Sequence, residues 1–133
     1  AASPASSVPA HVEEIQLRKT ASLLASCARM GGILGGGDPG QVEALGSFGT
    51  RLGVLFQVTD DILDETASFE EMGKGTGKDR ERGKWTYPVA HGMEAARART
   101  GELAREALSA LDGFGTEAEP LREIVRWVRG RRA

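Results

Sequence analysis

Apolar positions along this chain recur at three- and four-residue steps and show no sustained period-two alternation, so the pattern predicts helices and no sheet. From His11 to Leu34 one helix is expected, with Ile15, Leu23, Leu24, Cys27, Met30 and Leu34 on its apolar side and alanine and serine small enough between them for close helix packing. The run Gly35-Gly36-Gly37-Asp38-Pro39-Gly40 ends it, since glycine closes helices and proline does not continue them. It is not a phosphate loop, because Gln41-Val42 stands where that motif needs Lys-Ser/Thr. Asp38 is placed as N-cap and Pro39 as first residue of a second helix, reaching about Glu65.

Val42, Leu45, Phe48, Leu52, Leu55, Phe56, Ile62 and Leu63 cover much of that helix's circumference, which predicts deep burial. Gly46, Gly49 and Gly53 each cost roughly 0.5–1 kcal/mol relative to alanine inside a helix, so another backbone or a ligand is expected to come close there. Residues 66–86 read as a loop with a short helical turn over Ser68–Met72. A third helix is expected over Pro88–Leu111, a turn over Gly113–Thr116, and a last helix over Glu117–Arg129 with Leu121, Ile124, Val125 and Val128 inward and Trp127 at a partner contact. The fold class is all-α, a helix bundle; residues 1–10 read as a flexible Ala/Ser/Pro tail ahead of a single helical domain.

Composition narrows the functional classes. The 133 residues suffice for one core-forming domain. A formal charge of −2 supplies no global field for nucleic acid or an anionic membrane. No apolar run approaches the ~20 residues of a membrane span. The one cysteine, Cys27, excludes an internal disulfide and suits a reducing, cytoplasmic compartment; it reads as a small core residue rather than a nucleophile. His11 and His91 lack metal-ligand spacing and read as surface or packing residues. The alternation Glu94, Arg97, Arg99, Glu102, Arg105, Glu106 reads as a solvated helix face.

The chemistry is concentrated in Val54-Leu-Phe-Gln-Val-Thr-Asp-Asp-Ile-Leu-Asp64. Asp60 and Asp64 stand at i,i+4 and Asp61 and Asp64 at i,i+3, so on a helix all three are expected on one side. Each such like-charge pair costs about 0.2–0.5 kcal/mol when exposed, so an offsetting partner is expected. A hard divalent cation fits, because Mg²⁺ prefers carboxylate oxygens and commonly bridges to phosphate. A solvated acidic helix end is the plain alternative. Gln57, on the carboxylate side of an apolar stretch, needs a hydrogen-bond partner if buried. Downstream, Met72-Gly-Lys-Gly-Thr-Gly-Lys-Asp-Arg-Glu-Arg-Gly-Lys-Trp-Thr-Tyr-Pro88 is rich in glycine and lysine, a loop suited to close backbone approach and mobile positive charge around a diphosphate.

The ordered series Lys19-Thr20, FQVTDDILD, GK-x-x-GKD and GKWTYP resembles the C-terminal half of the trans-isoprenyl diphosphate synthases, from about Ile15 onward. The resemblance implies an isoprenoid synthase-type bundle and Mg²⁺-dependent head-to-tail condensation of an allylic diphosphate with isopentenyl diphosphate. It implies Asp60, Asp61 and Asp64 as metal residues, with Asp60 the first choice for direct ligand and Asp64 acting through waters. It implies Lys19, Lys74 and Lys84 on the diphosphate, Thr20 and Gln57 facing the developing cation, and Asp79 ordering the site. The basic tail Arg129, Arg131 and Arg132 is a solvated end or, by the same resemblance, a closing segment. The family's first aspartate-rich motif is absent, so residues 1–133 are expected to be inactive without an N-terminal half, and complete units are expected to form a homodimer. A regulatory subunit of a prenyl synthase, a class I terpene cyclase fragment and a helical scaffold with an incidental acidic patch are the other readings. Intact aspartates and lysines disfavour the first, the GKD…TYP loop the second, and the ordered motif series the third.

Overall fold

The computed structural model describes residues 11, 14, 15, 17–71 and 86–131, and no strand occurs among them. The expectations for the tail at 1–10, and for Lys74, Asp79, Lys84 and Arg132, fall outside these residues. A π-helical turn, Leu17–Ala21, leads into α1, Ser22–Leu34. The expected first helix therefore changes pitch beside Lys19 and Thr20, and π turns are rare and frequent at functional sites. After the glycine run, α2 spans Pro39–Glu71. Asp38 caps it as expected: Gln41 N donates to Asp38 Oδ1 at 2.8 Å and Asp38 N donates to Gln41 Oε1 at 2.9 Å, a reciprocal capping box. The helix passes Glu65 by more than a turn, absorbing part of the expected loop and most of its helical turn.

The close approach predicted by the glycines of α2 is made by α1 and the turn before it, running antiparallel. A Cβ at Gly53 would strike the Ala21 backbone, one at Gly49 would lie 2.6 Å from Leu24 O, and one at Gly46 would strike the Arg29 guanidinium. Ala21, Ala25 and Gly32 supply the matching small face and are buried. The bulky residues of that segment point the other way. Ile15, Leu23, Met30 and Leu34 are exposed, as is Cys27, correcting their placement in the core. Both sides of α1 are apolar by sequence, and the side that admits the nearest backbone approach is the one packed.

The core lies where α2 meets the C-terminal helices: Leu55, Val58, Leu103, Leu111 and Val125 are fully buried, each burial worth about 1.5–3 kcal/mol. The expected Pro88–Leu111 helix is two helices, α3 at Tyr87–His91 and α4 at Met93–Ala110, broken at Gly92, whose φ of +94° strains any L side chain. The Tyr87 and His91 rings lie 4.3 Å apart across α3, the packing role expected of His91. The Arg/Glu face of α4 is solvated as read, with Arg99–Glu102 at 3.0 Å and Arg51–Glu106 at 3.1 Å.

A 3₁₀ turn, Thr116–Ala118, leads to α5, Glu119–Gly130. Arg122 holds the corner by donating to the carbonyls of Leu111, Phe114 and Gly115 at 3.2, 2.8 and 2.9 Å. Val125 and Val128 face inward as expected and Leu121 packs against the core, but Ile124 is exposed. Positions 121, 125 and 128 already fill the seam with α4, and Ile124 falls one residue off it.

Two measurements follow. Gly53→Ala is expected to lower the urea unfolding free energy by about 1–3 kcal/mol, because neither backbone can yield. Gly31→Ala, exposed with nothing within 4 Å of the added methyl, should raise it by about 0.5–1 kcal/mol; equal effects at the two sites would contradict the close approach. Glu119 accepts from Arg126 at 2.8 Å, a bond that holds its carboxyl below the ordinary 4.5. The stability it contributes is therefore present above pH 4.5 and lost as pH falls through the lowered value. The melting-temperature gap between wild type and Glu119→Gln should close across that acid window and stay constant above it.

Candidate functional site

The antiparallel register that sets Ala21 against Gly53 also sets Thr20 against Gln57, one helical turn further along α2. Thr20 Oγ1 donates to Gln57 Oε1 at 3.4 Å, and Gln57 Nε2 donates to Asp61 Oδ1 at 3.3 Å. Asp61 Oδ2 accepts from Tyr87 N at 3.0 Å. Gln57 thus finds the partners its position demanded, and four residues from three separate stretches of sequence form one hydrogen-bonded seam. Lys19, one residue before Thr20, is exposed.

Thr86 and Tyr87 enter this seam for a capping reason. The first backbone donors of α3 need acceptors from outside the helix. Asp61 takes Tyr87 N, Pro88 has no N–H, and Thr86 Oγ1 takes Val89 N at 3.4 Å. Asp61 is 4% exposed, so a carboxylate left there without donors would be costly. Its two bonds tie the acidic end of α2 to the start of α3, a role that the spacing of the aspartates did not reveal. The TYP stretch was the only sequence signal for it.

The three carboxylates do not share one environment. Successive helical residues are turned by about 100°, and Asp61 faces the interior while Asp60 stands at its rim. Asp60, its side chain 40% exposed, receives Arg131 Nη2 on Oδ1 at 2.8 Å. Asp64 is exposed. All three lie on one side of the helix, Asp64 falling about 40° from Asp60 and about 60° from Asp61, but within that side they take an inward, a rim and an outward position. Among the described residues no three His, Cys, Asp or Glu side chains converge on a common point.

Arg131 comes from the other end of the chain. Its guanidinium stacks on Phe56, 4.4 Å from the ring centroid, and lies 5.5 Å from that of Trp127. Its Nη2 also approaches Phe56 O at 3.5 Å, while its Nε is buried without an acceptor among the described residues. The sequence showed Arg131 only as one cation of a basic tail, and nothing in the local pattern pairs it with a residue 71 positions away. Trp127, expected at a partner contact, is 65% exposed.

Among the described residues no helix is long and apolar enough to cross a membrane. The Polyprenyl synthetase family profile matches residues 4–125. The chain is 43% identical over 122 residues to the heterodimeric geranylgeranyl pyrophosphate synthase large subunit 2 of Arabidopsis thaliana, covering 91% of this chain and 32% of that protein. It is 47% identical over 118 residues to the chloroplastic geranylgeranyl pyrophosphate synthase of Capsicum annuum, covering 88% and 32%. In three dimensions it superposes on the crystal structure of a candidate farnesyl-diphosphate synthase from Marinomonas sp. MED121 with a TM-score of 0.74 at 28% identity, over 93% of this chain and 43% of that one. The chain thus spans about a third of the length of the curated relatives it matches. Its all-helical fold, its motif series and the profile match agree: this chain belongs to the polyprenyl synthetase family.

Proposed function

We propose that this chain is the part of a prenyl diphosphate synthase that receives an allylic diphosphate and helps its ionisation, in a head-to-tail condensation with isopentenyl diphosphate. The observation that supports this most directly is the Thr20–Gln57–Asp61–Tyr87 seam. It joins the Lys19-Thr20 pair, the FQ-x-x-DD stretch and the TYP stretch, which lie far apart in sequence, beside the rim and outward carboxylates.

The donor set fits Mg²⁺. Asp60 and Asp64 offer hard carboxylate oxygens that solvent reaches, the kind of site in which Mg²⁺ keeps several waters. Asp61 is occupied by Gln57 and Tyr87 and holds the helix end in place, so it supports the metal residues rather than leading them. When bound, Mg²⁺ neutralises the charge that builds on a departing diphosphate. The chain's own residues do the rest. Lys19 is an exposed, mobile cation one residue from the seam, and Lys74 and Lys84 take the same role from the glycine-rich stretch. Thr20 Oγ1 and Gln57 Oε1 offer lone pairs to carbon that becomes positive as the diphosphate leaves. Their mutual bond, at 3.4 Å, is long enough to be exchanged for that contact.

The remaining length of the family's proteins supplies the opposing carboxylates and the isopentenyl site, and complete units pair as homodimers. The regulatory-subunit reading is disfavoured because Lys19, Thr20, Gln57 and the aspartates are all present.

Residues 1–133 alone should show no Mg²⁺-dependent condensation of radiolabelled isopentenyl diphosphate with an allylic diphosphate, and activity should return when a segment carrying the other aspartate-rich motif is supplied; turnover by the isolated chain would overturn this. In the complete enzyme Asp60→Asn is expected to lower kcat by about 10²–10³. Asp61→Ala should instead lower stability by about 1–3 kcal/mol, since Tyr87 N and Gln57 Nε2 lose their acceptor. Chemical denaturation beside steady-state kinetics separates the two, and a fully active Asp60→Asn enzyme would refute the metal assignment.

A further inference from the structure

The Arg131–Asp60 pair is not an ordinary surface ion pair. Asp60 is half open to solvent, but the Arg131 side chain is 18% exposed and held against two aromatic rings. Stacking fixes the guanidinium plane and removes the rotamer freedom that makes most exposed pairs worth little. One carboxylate oxygen of Asp60 is engaged, while the Nε of Arg131 is buried and lacks an acceptor. The arrangement is asymmetric: the anion can find water or metal, but the cation depends on Asp60.

From this we infer that Arg131 makes Asp60 selective for a divalent metal that arrives together with a diphosphate, against the same metal alone. The inference rests on the proposed role of Asp60 as a metal residue. A bare divalent cation approaching Asp60 meets a fixed positive charge 2.8 Å from one of its oxygens. Drawing Asp60 away strands a mostly buried guanidinium without a counter-ion, the costly way to break such a pair. A metal carrying diphosphate brings a replacement anion. Planar guanidinium groups bind such oxyanions well. Arg131 then passes from Asp60 to the diphosphate with its charge satisfied throughout. It is a positioning residue that couples two binding events, and the coupling is reciprocal: the factor by which the anion raises metal affinity is the factor by which the metal raises anion affinity.

The pair has a sign that a structural role alone does not produce. The test uses the full chain, with each variant's fold checked by circular dichroism, and measures binding rather than turnover. Calorimetric titration is made with Mn²⁺ alone and, separately, with preformed magnesium pyrophosphate. Relative to wild type, Arg131→Gln is expected to bind Mn²⁺ alone about fivefold more tightly and magnesium pyrophosphate about fivefold more weakly, opposite shifts at the low end of ordinary site-to-site coupling. Arg131→Lys, which keeps the charge but loses the planar fork, should fall between them in both titrations. Shifts of the same sign, or none, in Arg131→Gln overturn the inference. Asp60→Asn distinguishes that failure from failure of the functional reading. If Asp60→Asn weakens Mn²⁺ binding while Arg131→Gln changes nothing, the metal role stands and the coupling falls. If the binding of magnesium pyrophosphate as well as of Mn²⁺ is indifferent to Asp60→Asn, both fall.

Discussion

The near contact of two helix backbones is the constraint on which this structure depends. Gly49 and Gly53 of α2 leave room for the main chain at Leu24 and Ala21, and no side chain fits between. That contact fixes the register of the two segments. Register in turn decides which residues meet further along, and one turn past Gly53 the pair is Thr20 and Gln57. A polar seam whose members are drawn from three stretches of sequence thus follows from the absence of a methyl group. The helical glycines that local propensity disfavours are the ones that tertiary packing uses.

A second economy lies in the acidic end of α2. Adjacent aspartates on a helix are turned apart, so one stretch of chain serves two chemical needs. Asp61 faces inward and satisfies the first backbone donor of α3, which makes the geometry of the site part of the fold's own hydrogen-bonding requirement. Asp60 is partly exposed and Asp64 exposed at the surface. Repulsion at Asp60 is eased by the guanidinium of Arg131.

The outer side of α1 carries an apolar stripe that the described residues of this chain do not cover. Leu23, Cys27, Met30 and Leu34 recur at the steps of a core-facing stripe, yet all are exposed. The opposite side, Ala21, Ala25 and Gly32, is what packs, because small residues there complement the glycines of α2. Periodicity marks an apolar face but not which neighbour it meets. When a helix has a bulky apolar side and a small apolar side, the shape of the facing helix decides between them.

Much was determined by the chain as written: helices, the Asp38 cap and the glycine contacts of α2. These are local properties, set by spacing of a few residues and by the conformational limits of glycine and proline. The burial of Asp61, its bond to Tyr87, the pairing of Asp60 with Arg131 and the seating of Arg131 on Phe56 belong to the tertiary structure. Each depends on which residue arrives across a gap of tens of positions, and that is decided by the packing of α2 against its neighbours, a quantity no local window of sequence contains.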